Sequence, residues 1–355
     1  MKTKKSTSIT IATCAVVFTL LYIIFAATPL SKEYQFEPTW NLNLAAPVSQ
    51  NIDDNAIISS FSLGQSAGYF TNDGKISLYK SFPSRITISD HYYAIYNTEA
   101  SNIPFYDNKG NKAGVIEGSG FPYICDDRIY LMLPGGGSYS LCNSDGSIKW
   151  TCENIITLTA FSSNKHYTIS GYANGVVKVL NNYDGDTEFT FVPGGSDYSV
   201  IYGADVSENG QYIATLSGQD KQRFMITQRI KDQTKVIFHE YLDNELNRRT
   251  LVRFSKDGNR VFYNYKGGLG IYDLKRNNTL KLPLSDKIIA FEESHNLLFV
   301  LGQNENIFTV YIVEKTNTFE GSFSFEANNA FIKAMDDALY VGKDNSISKI
   351  TLKRD

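Results

Sequence analysis

The sequence is poor in the residues that build metal and catalytic sites, with four histidines and four cysteines among 355 residues. It has no His-x-x-x-His or Cys-x-x-Cys spacing, which argues against a zinc site. Its serines, histidines and aspartates follow no recognisable catalytic order. Cationic side chains are not in excess either, since the formal net charge is −3. We therefore expect no catalytic set, no metal site, no bound cofactor and no nucleic-acid partner.

Helical patterning is scarce after Pro29, and aromatic residues are abundant instead. The chain has 23 Tyr and 22 Phe, which pack well on the pleated surface of a sheet. The composition therefore favours an all-β body.

One long hydrophobic run is present, and it lies at the N-terminus. Residues 8–28 carry no charge, and about 20 apolar residues suffice for a helix to cross a bilayer. Lys2, Lys4 and Lys5 precede the run, so the positive-inside rule places residues 1–7 in the cytoplasm. We expect 8–28 to be a transmembrane signal-anchor helix and 29–38 to be a tether to a periplasmic or extracellular body. The alternative is a cleaved signal peptide, for which residues 25–28 offer a poor cleavage site.

The body of the chain repeats a strand, a polar turn and a second strand. Residues 206–214 and 254–262 share the skeleton apolar-Ser-x-x-Gly-x-x-apolar. Weaker copies begin at residues 89, 125, 161, 291 and 335. A period of about 40 residues in an all-β chain indicates a β-propeller. The first unit is short, so the repeat predicts eight blades, with seven as the alternative.

The two ends of the body complete each other. The C-terminal unit supplies three strands, and within the segment 39–48 residues 40–44 alternate apolar and polar side chains as a half-buried strand does. An unpaired edge at the closure of a ring is unfavourable. We therefore expect one domain, residues 39–355, closed by pairing of 39–48 with the C-terminal blade.

Two segments resemble known propellers. Residues 254–258 and residues 145–150, which end in a tryptophan, are similar to repeats of the WD40-like and quinoprotein-like (PQQ-like) propeller superfamilies. The resemblance covers residues 40–352, although the Gly-His and Trp-Asp dipeptides of true WD40 repeats are missing. It implies a membrane-tethered bacterial propeller that serves as a binding platform, with no quinone or metal residues to carry over.

Loops longer than the repeat requires are the best candidates for a binding surface. Residues 217–223 and 241–249 are such loops, and Arg248, Arg249 and Arg253 form a basic cluster in a mildly acidic chain. These three and Arg223 are the candidate partner-binding residues, although charged loops often only keep a surface soluble.

Other polar and sulfur-containing residues have simpler explanations. His91, His166 and His295 occupy the same turn of three repeats, which predicts solvated positions on one rim. Cys125, Cys142 and Cys152 lie within one repeat, and the tight turn at 144–147 sets Cys142 opposite Lys149 rather than Cys152, unless a bulge intervenes. Buried free thiols are therefore favoured over a disulfide.

Together, these features predict a membrane-anchored propeller outside the cytoplasm that acts as a non-catalytic scaffold for a protein of the bacterial envelope. The alternative is a propeller enzyme or small-molecule sensor with its site in the central channel.

Overall fold

The computed structural model describes residue 13 and residues 15–22, 34–49, 52–53, 56–98, 100–231, 233–243, 245–315 and 318–354. The chain divides into two compact units. The first comprises Met1–Glu37 with Thr351–Asp355, and the second comprises Pro38–Ile350.

The described residues contain 31 strands, numbered β1 to β31 in chain order. They form eight sheets, which we number as blades 1 to 8. Blade 1 has β2 (Ile58–Leu63), β3 (Ser66–Thr71) and β4 (Ile76–Ser81). Blade 2 has β5 (Arg85–Ile88), β6 (Tyr92–Tyr96), β7 (Ser101–Asp107) and β8 (Lys112–Ser119). Blade 3 has β9 (Phe121–Cys125), β10 (Arg128–Met132), β11 (Tyr139–Cys142) and β12 (Ile148–Cys152). Blade 4 has β13 (Leu158–Ser163), β14 (Tyr167–Tyr172), β15 (Val177–Asn181) and β16 (Thr187–Phe191).

The second half of the chain repeats this arrangement. Blade 5 has β17 (Ile201–Val206), β18 (Tyr212–Ser217), β19 (Arg223–Ile230) and β20 (Gln233–Tyr241). Blade 6 has β21 (Val252–Phe254), β22 (Arg260–Tyr265), β23 (Gly268–Asp273) and β24 (Asn278–Pro283). Blade 7 has β25 (Lys287–Ser294), β26 (Leu297–Asn304), β27 (Ile307–Glu314) and β28 (Thr318–Glu326). Blade 8 has β29 (Ala330–Met335), β30 (Ala338–Lys343) and β31 (Ser346–Arg354), with β1 (Tyr34–Asn43) beside β31.

The predicted all-β propeller is confirmed, and the number of blades is eight. Blade 1 has three strands in the order β2-β3-β4, which explains the short first repeat. The other seven sheets have four strands each, and in blades 2 to 7 these follow chain order from the innermost strand outward.

The repeated serine and glycine define the turn that leaves each innermost strand. The Ser207 hydroxyl accepts a hydrogen bond from the Tyr212 amide at 2.9 Å, and Ser255 does the same for Arg260 at 2.9 Å. Gly210 and Gly258 have positive φ angles of 67° and 68°, a conformation that glycine adopts without steric cost. The turn therefore forms from local sequence alone, which is why it recurs as a visible motif.

The core lies between neighbouring blades. Phe224 of blade 5 stacks on Tyr263 of blade 6 with ring centroids 3.7 Å apart, and both side chains are fully buried. Tyr139 of blade 3 meets Phe161 of blade 4 edge to face at 5.1 Å. Such contacts explain the many aromatic residues, since each blade presents a flat apolar surface to the next.

The N-terminal strand of blade 8 starts earlier than the sequence predicted. β1 spans Tyr34–Asn43 rather than 39–48, so residues 34–38 are strand and not tether. Nothing in the sequence indicated this start, because Pro38 lies within the strand and proline usually interrupts a strand. β1 is an edge strand, and an edge strand tolerates proline because one of its sides makes no hydrogen bonds to another strand. Trp40 of β1 packs against Tyr340 of β30, with ring centroids 5.7 Å apart.

Part of the predicted signal-anchor segment falls within the described residues. Residue 13 and residues 15–22 are helical. No helix among the described residues reaches the length and apolar content of a transmembrane span. The rest of the predicted span, together with the tail 1–7 and the tether residues 29–33, lies outside the described residues.

Candidate functional site

The innermost strands of the eight blades surround a central channel of about 980 Å³. Each blade contributes a polar side chain to its lining, from the innermost strand or the residue two beyond it. In blade order these are Ser60, Asp90, Tyr123, Ser162, Asp205, Arg253, Glu292 and Lys333. The charges alternate in sign from Asp205 through Arg253 and Glu292 to Lys333, so unlike charges occupy neighbouring blades.

Asp205 joins three blades. Its Oδ1 accepts a hydrogen bond from the Ser162 hydroxyl of blade 4 at 2.7 Å. Its Oδ2 accepts one from the Phe254 amide of blade 6, also at 2.7 Å. Burial raises the pKa of this carboxyl, and the two hydrogen bonds only partly offset the effect. Both oxygens are therefore occupied in holding adjacent blades.

Asp90 has the same role at the closure of the ring. It pairs with Lys333 of blade 8 at 2.8 Å, and it accepts hydrogen bonds from the amide and hydroxyl of Ser60 in blade 1 at 2.9 and 2.8 Å. Burial opposes ionisation, but Lys333 and Ser60 outweigh it and hold the pKa of Asp90 below its usual value. The carboxylates of the channel thus connect blades instead of converging on a shared point.

The structure places the four candidate arginines in different surroundings. Arg249 and Arg253 line the channel, where they donate to the carbonyl oxygens of Phe161 at 3.2 Å and Phe291 at 3.0 Å. Arg248 is exposed and is not among the channel-lining residues. Arg223 lies in β19, with its guanidinium 5.7 Å from the Tyr241 ring centroid.

One face of the ring is formed by the segments that lead into the innermost strands and by the turns between second and third strands. Phe121, Ile155, Tyr198 and Tyr241 lie on this face with exposures of 38, 95, 65 and 50 %. Arg223, Arg248 and Arg249 lie on it too. We call these seven residues the loop face. Apolar side chains this exposed, with arginines among them, are typical of a surface that contacts another molecule.

The opposite face is formed by the turns that leave the innermost strands. The predicted histidines lie here, and each faces a carboxylate in the same turn of the next blade. The nitrogen–oxygen distances are 3.4 Å for His91 and Asp126, 3.8 Å for His166 and Glu208, and 3.4 Å for His295 and Asp337. These side chains are more than half exposed, so these turns are polar and hydrated.

Comparison with known proteins agrees with the propeller fold. A family model described as "beta-propeller protein" matches residues 1–354. The chain belongs to this beta-propeller family. An uncharacterized protein of Treponema pallidum (strain Nichols) is 27 % identical over 346 residues, covering 94 % of this chain and 92 % of that protein.

Solved structures show the same propeller fold. The crystal structure of BamB from Moraxella catarrhalis has a TM-score of 0.61 at 14 % identity, covering 90 % of this chain and 98 % of that one. The computationally designed Ika8 protein has a TM-score of 0.62 at 13 % identity, covering 88 % and 99 %. At such identities the similarity concerns the fold alone.

Sequence reasoning did not find the ring of channel charges. A signal was available, because Asp205 and Arg253 hold the same position in the two clearest repeats, two residues before the turn serine.

Residues 64–68 match Gly-x-Ser-x-Gly, the nucleophile-elbow pattern. In this propeller they form the turn between β2 and β3 and the first residues of β3, and the Ser66 hydroxyl bonds to the Tyr79 hydroxyl at 2.7 Å.

The three cysteines of blade 3 are free thiols, as the turn geometry favoured. Cys142 pairs with Ile148 rather than Lys149, because the register of β11 and β12 shifts between Leu141 and Cys142. Cys152 lies opposite Tyr139.

Proposed function

We propose that this propeller is a non-catalytic scaffold that binds a protein partner through its loop face. The observation that carries the proposal is the exposure of Phe121, Ile155, Tyr198 and Tyr241 on one face. Aromatic residues and arginine are the types that dominate binding energy at protein interfaces. The carboxylates of the channel, by contrast, are engaged with adjoining blades, which favours the scaffold over a channel enzyme.

Site-specific photo-crosslinking tests this role. A photoreactive residue placed at Tyr198 should crosslink to a discrete partner in cells, because this side chain is 65 % exposed on the loop face. Tyr183 is the matched control, since it is 81 % exposed but lies on the opposite face. Tyr198→Ala should weaken co-purification of the crosslinked partner by about tenfold or more. Equal crosslinking from both tyrosines, or from neither, would contradict the proposal.

We propose further that residues 8–28 anchor the chain in the cytoplasmic membrane of a bacterium and that the propeller lies outside. The support is the uncharged run preceded by Lys2, Lys4 and Lys5. The partner is then a protein of the cell envelope.

A protease-protection experiment tests this orientation. A tag at the C-terminus should be digested in intact spheroplasts by added protease, because the propeller faces outward. A cytoplasmic protein is the control for spheroplast integrity. Complete protection of the tag would reverse the predicted topology, whereas release of the chain by high salt without detergent would rule out the anchor.

A further inference from the structure

A second cavity opens beside the channel, between blades 3 and 4. Its volume is about 380 Å³, near the lower end of the range for sites that bind small organic molecules. Four aromatic side chains contribute to its wall, namely Tyr96, Phe121, Tyr123 and Phe161. We call it the aromatic pocket.

The wall of the aromatic pocket is built largely from aromatic rings that pack against one another, and Ser138 and Thr159 also line it. Tyr123 and Phe161 meet edge to face with ring centroids 5.7 Å apart, and Tyr96 and Phe121 meet at 6.4 Å. Met132 and Leu158 add aliphatic surface. The wall can therefore enclose one apolar group of about the size of an aromatic ring.

Two arginines adjoin this wall at different points. Arg249 lines the pocket and donates one N–H to the Phe161 carbonyl oxygen at 3.2 Å. Arg85 holds its guanidinium 5.6 Å from the centroid of the Phe121 ring. Burial and Cys125 raise the pKa of Tyr123 to about 12, with Arg249 acting in the opposite direction. Burial also raises the pKa of Tyr96, and the charge of Arg85 opposes this increase.

Neither arginine has an acidic partner within the described part of the chain. Arg128, Arg229 and Arg260 are each within 4.0 Å of a carboxylate, whereas no such pair involves Arg85 or Arg249. The pocket lining also contains no aspartate or glutamate. A guanidinium has five N–H donors, so Arg249 retains several for a ligand. Two of them side by side fit a carboxylate, as they also fit a phosphate.

We propose that the aromatic pocket binds a carboxylate attached to an apolar or aromatic group. Arg249 holds the carboxylate, Arg85 adds positive charge at the Phe121 side, and the aromatic wall encloses the apolar part. Two kinds of ligand have a carboxylate attached to such a group: a free aromatic acid and the carboxyl-terminal residue of a polypeptide. The site goes beyond the scaffold role, because it binds a small ligand or a chain terminus at the edge of the loop face, with which the pocket shares Phe121 and Arg249.

The test uses 3-phenylpropionate and its neutral amide as probes with the purified full-length chain. Ligand-observed NMR and calorimetry should give a Kd on the order of 1 mM for the acid. The amide should bind about tenfold or more weakly, because it loses the charge-assisted pair with arginine. Equal binding of the acid and the amide would overturn the proposal. So would an absence of acid binding at a concentration roughly tenfold above the expected Kd.

Variants locate the site. Arg249→Gln should weaken the binding of 3-phenylpropionate by about tenfold. Arg249→Lys and Arg85→Gln should each weaken this binding by a smaller factor. Arg276→Gln is the control, since Arg276 is an exposed arginine in a turn of blade 6 outside the pocket. Thermal melting of each variant should match the parent protein. Binding by Arg249→Gln at the parental level contradicts the assignment.

Two peptides distinguish the two kinds of ligand. Acetyl-Gly-Gly-Phe with a free carboxyl terminus and its C-terminal amide differ only in the group that Arg249 would hold. Binding of the free-acid peptide at least as tightly as 3-phenylpropionate assigns the pocket to a polypeptide terminus. Binding of 3-phenylpropionate alone assigns it to a free acid. Because the proteins are purified, failure here leaves the crosslinking test of the scaffold role intact.

Discussion

Replacing Lys315 with methionine should destabilise the propeller by about 3–5 kcal/mol. The Lys315 ammonium lies 2.7 Å from Glu293, and the two side chains are only 6 % and 1 % exposed. Glu293 also accepts a hydrogen bond from the Lys256 amide at 3.2 Å. Removing the lysine leaves a buried carboxylate without its counter-charge, in a position that the fold cannot easily hydrate. Urea denaturation monitored by circular dichroism measures the loss.

Two further variants make this test specific. Lys75→Met removes an ion pair at 2.8 Å whose side chains are 44 % and 47 % exposed, and it should change stability little because solvent screens such pairs. The double variant Glu293→Gln/Lys315→Met removes both charges and keeps an acceptor for Lys256, so it should recover part of the stability. If Lys315→Met and Lys75→Met unfold at the same urea concentration, the buried pair is not an important contribution.

Removing β1 should lower the melting temperature by about 10 °C. The strand supplies Trp40 and Leu42 to a cluster that includes Phe70 and Tyr340, and Asn41 donates to the Ser348 hydroxyl at 2.8 Å. Partly buried side chains of this kind contribute about 1–2 kcal/mol each, and the lost strand pairing adds to this. The measurement compares a chain that begins at residue 34 with one that begins at residue 44.

Both truncated chains lack residues 1–33, so they differ only in the ten residues of β1. The longer chain should melt as the full-length protein does. Melting of the shorter chain at the same temperature would show that blade 8 is stable without its outer strand. A mixture of the shorter chain and a synthetic peptide of residues 34–43 should recover part of the difference.

The blades could be predicted because their signals are local. The serine of each clear turn binds an amide five residues away in its own hairpin, as Ser207 does for Tyr212, and such a motif is visible in any aligned pair of repeats. The closure of blade 8 was also visible, since three strands at the C-terminus needed a fourth. The start of β1 was not, because the edge position that tolerates Pro38 is a property of the assembled sheet.

The site could be predicted only in part, because it forms between blades that are far apart in the chain. Loop length singled out Arg249, but its bond to Phe161 spans 88 residues. Asp205 binds partners 43 and 49 residues away, and no local pattern encodes such pairs. Arg85 had no signal at all, since its importance comes from the Phe121 ring that a neighbouring blade places beneath it.

The pairing of β1 with β31 has a consequence for biosynthesis. Asn41 and Ser348 are 307 residues apart, so the first strand emerges from the ribosome long before its partner exists. Blades 1 to 7 can form in order as the nascent chain lengthens, but the ring cannot close until β31 has been made. Contacts of such long range slow folding. Maturation therefore depends on the last strand, and a prematurely terminated chain would retain an unpaired edge for proteases or chaperones to recognise.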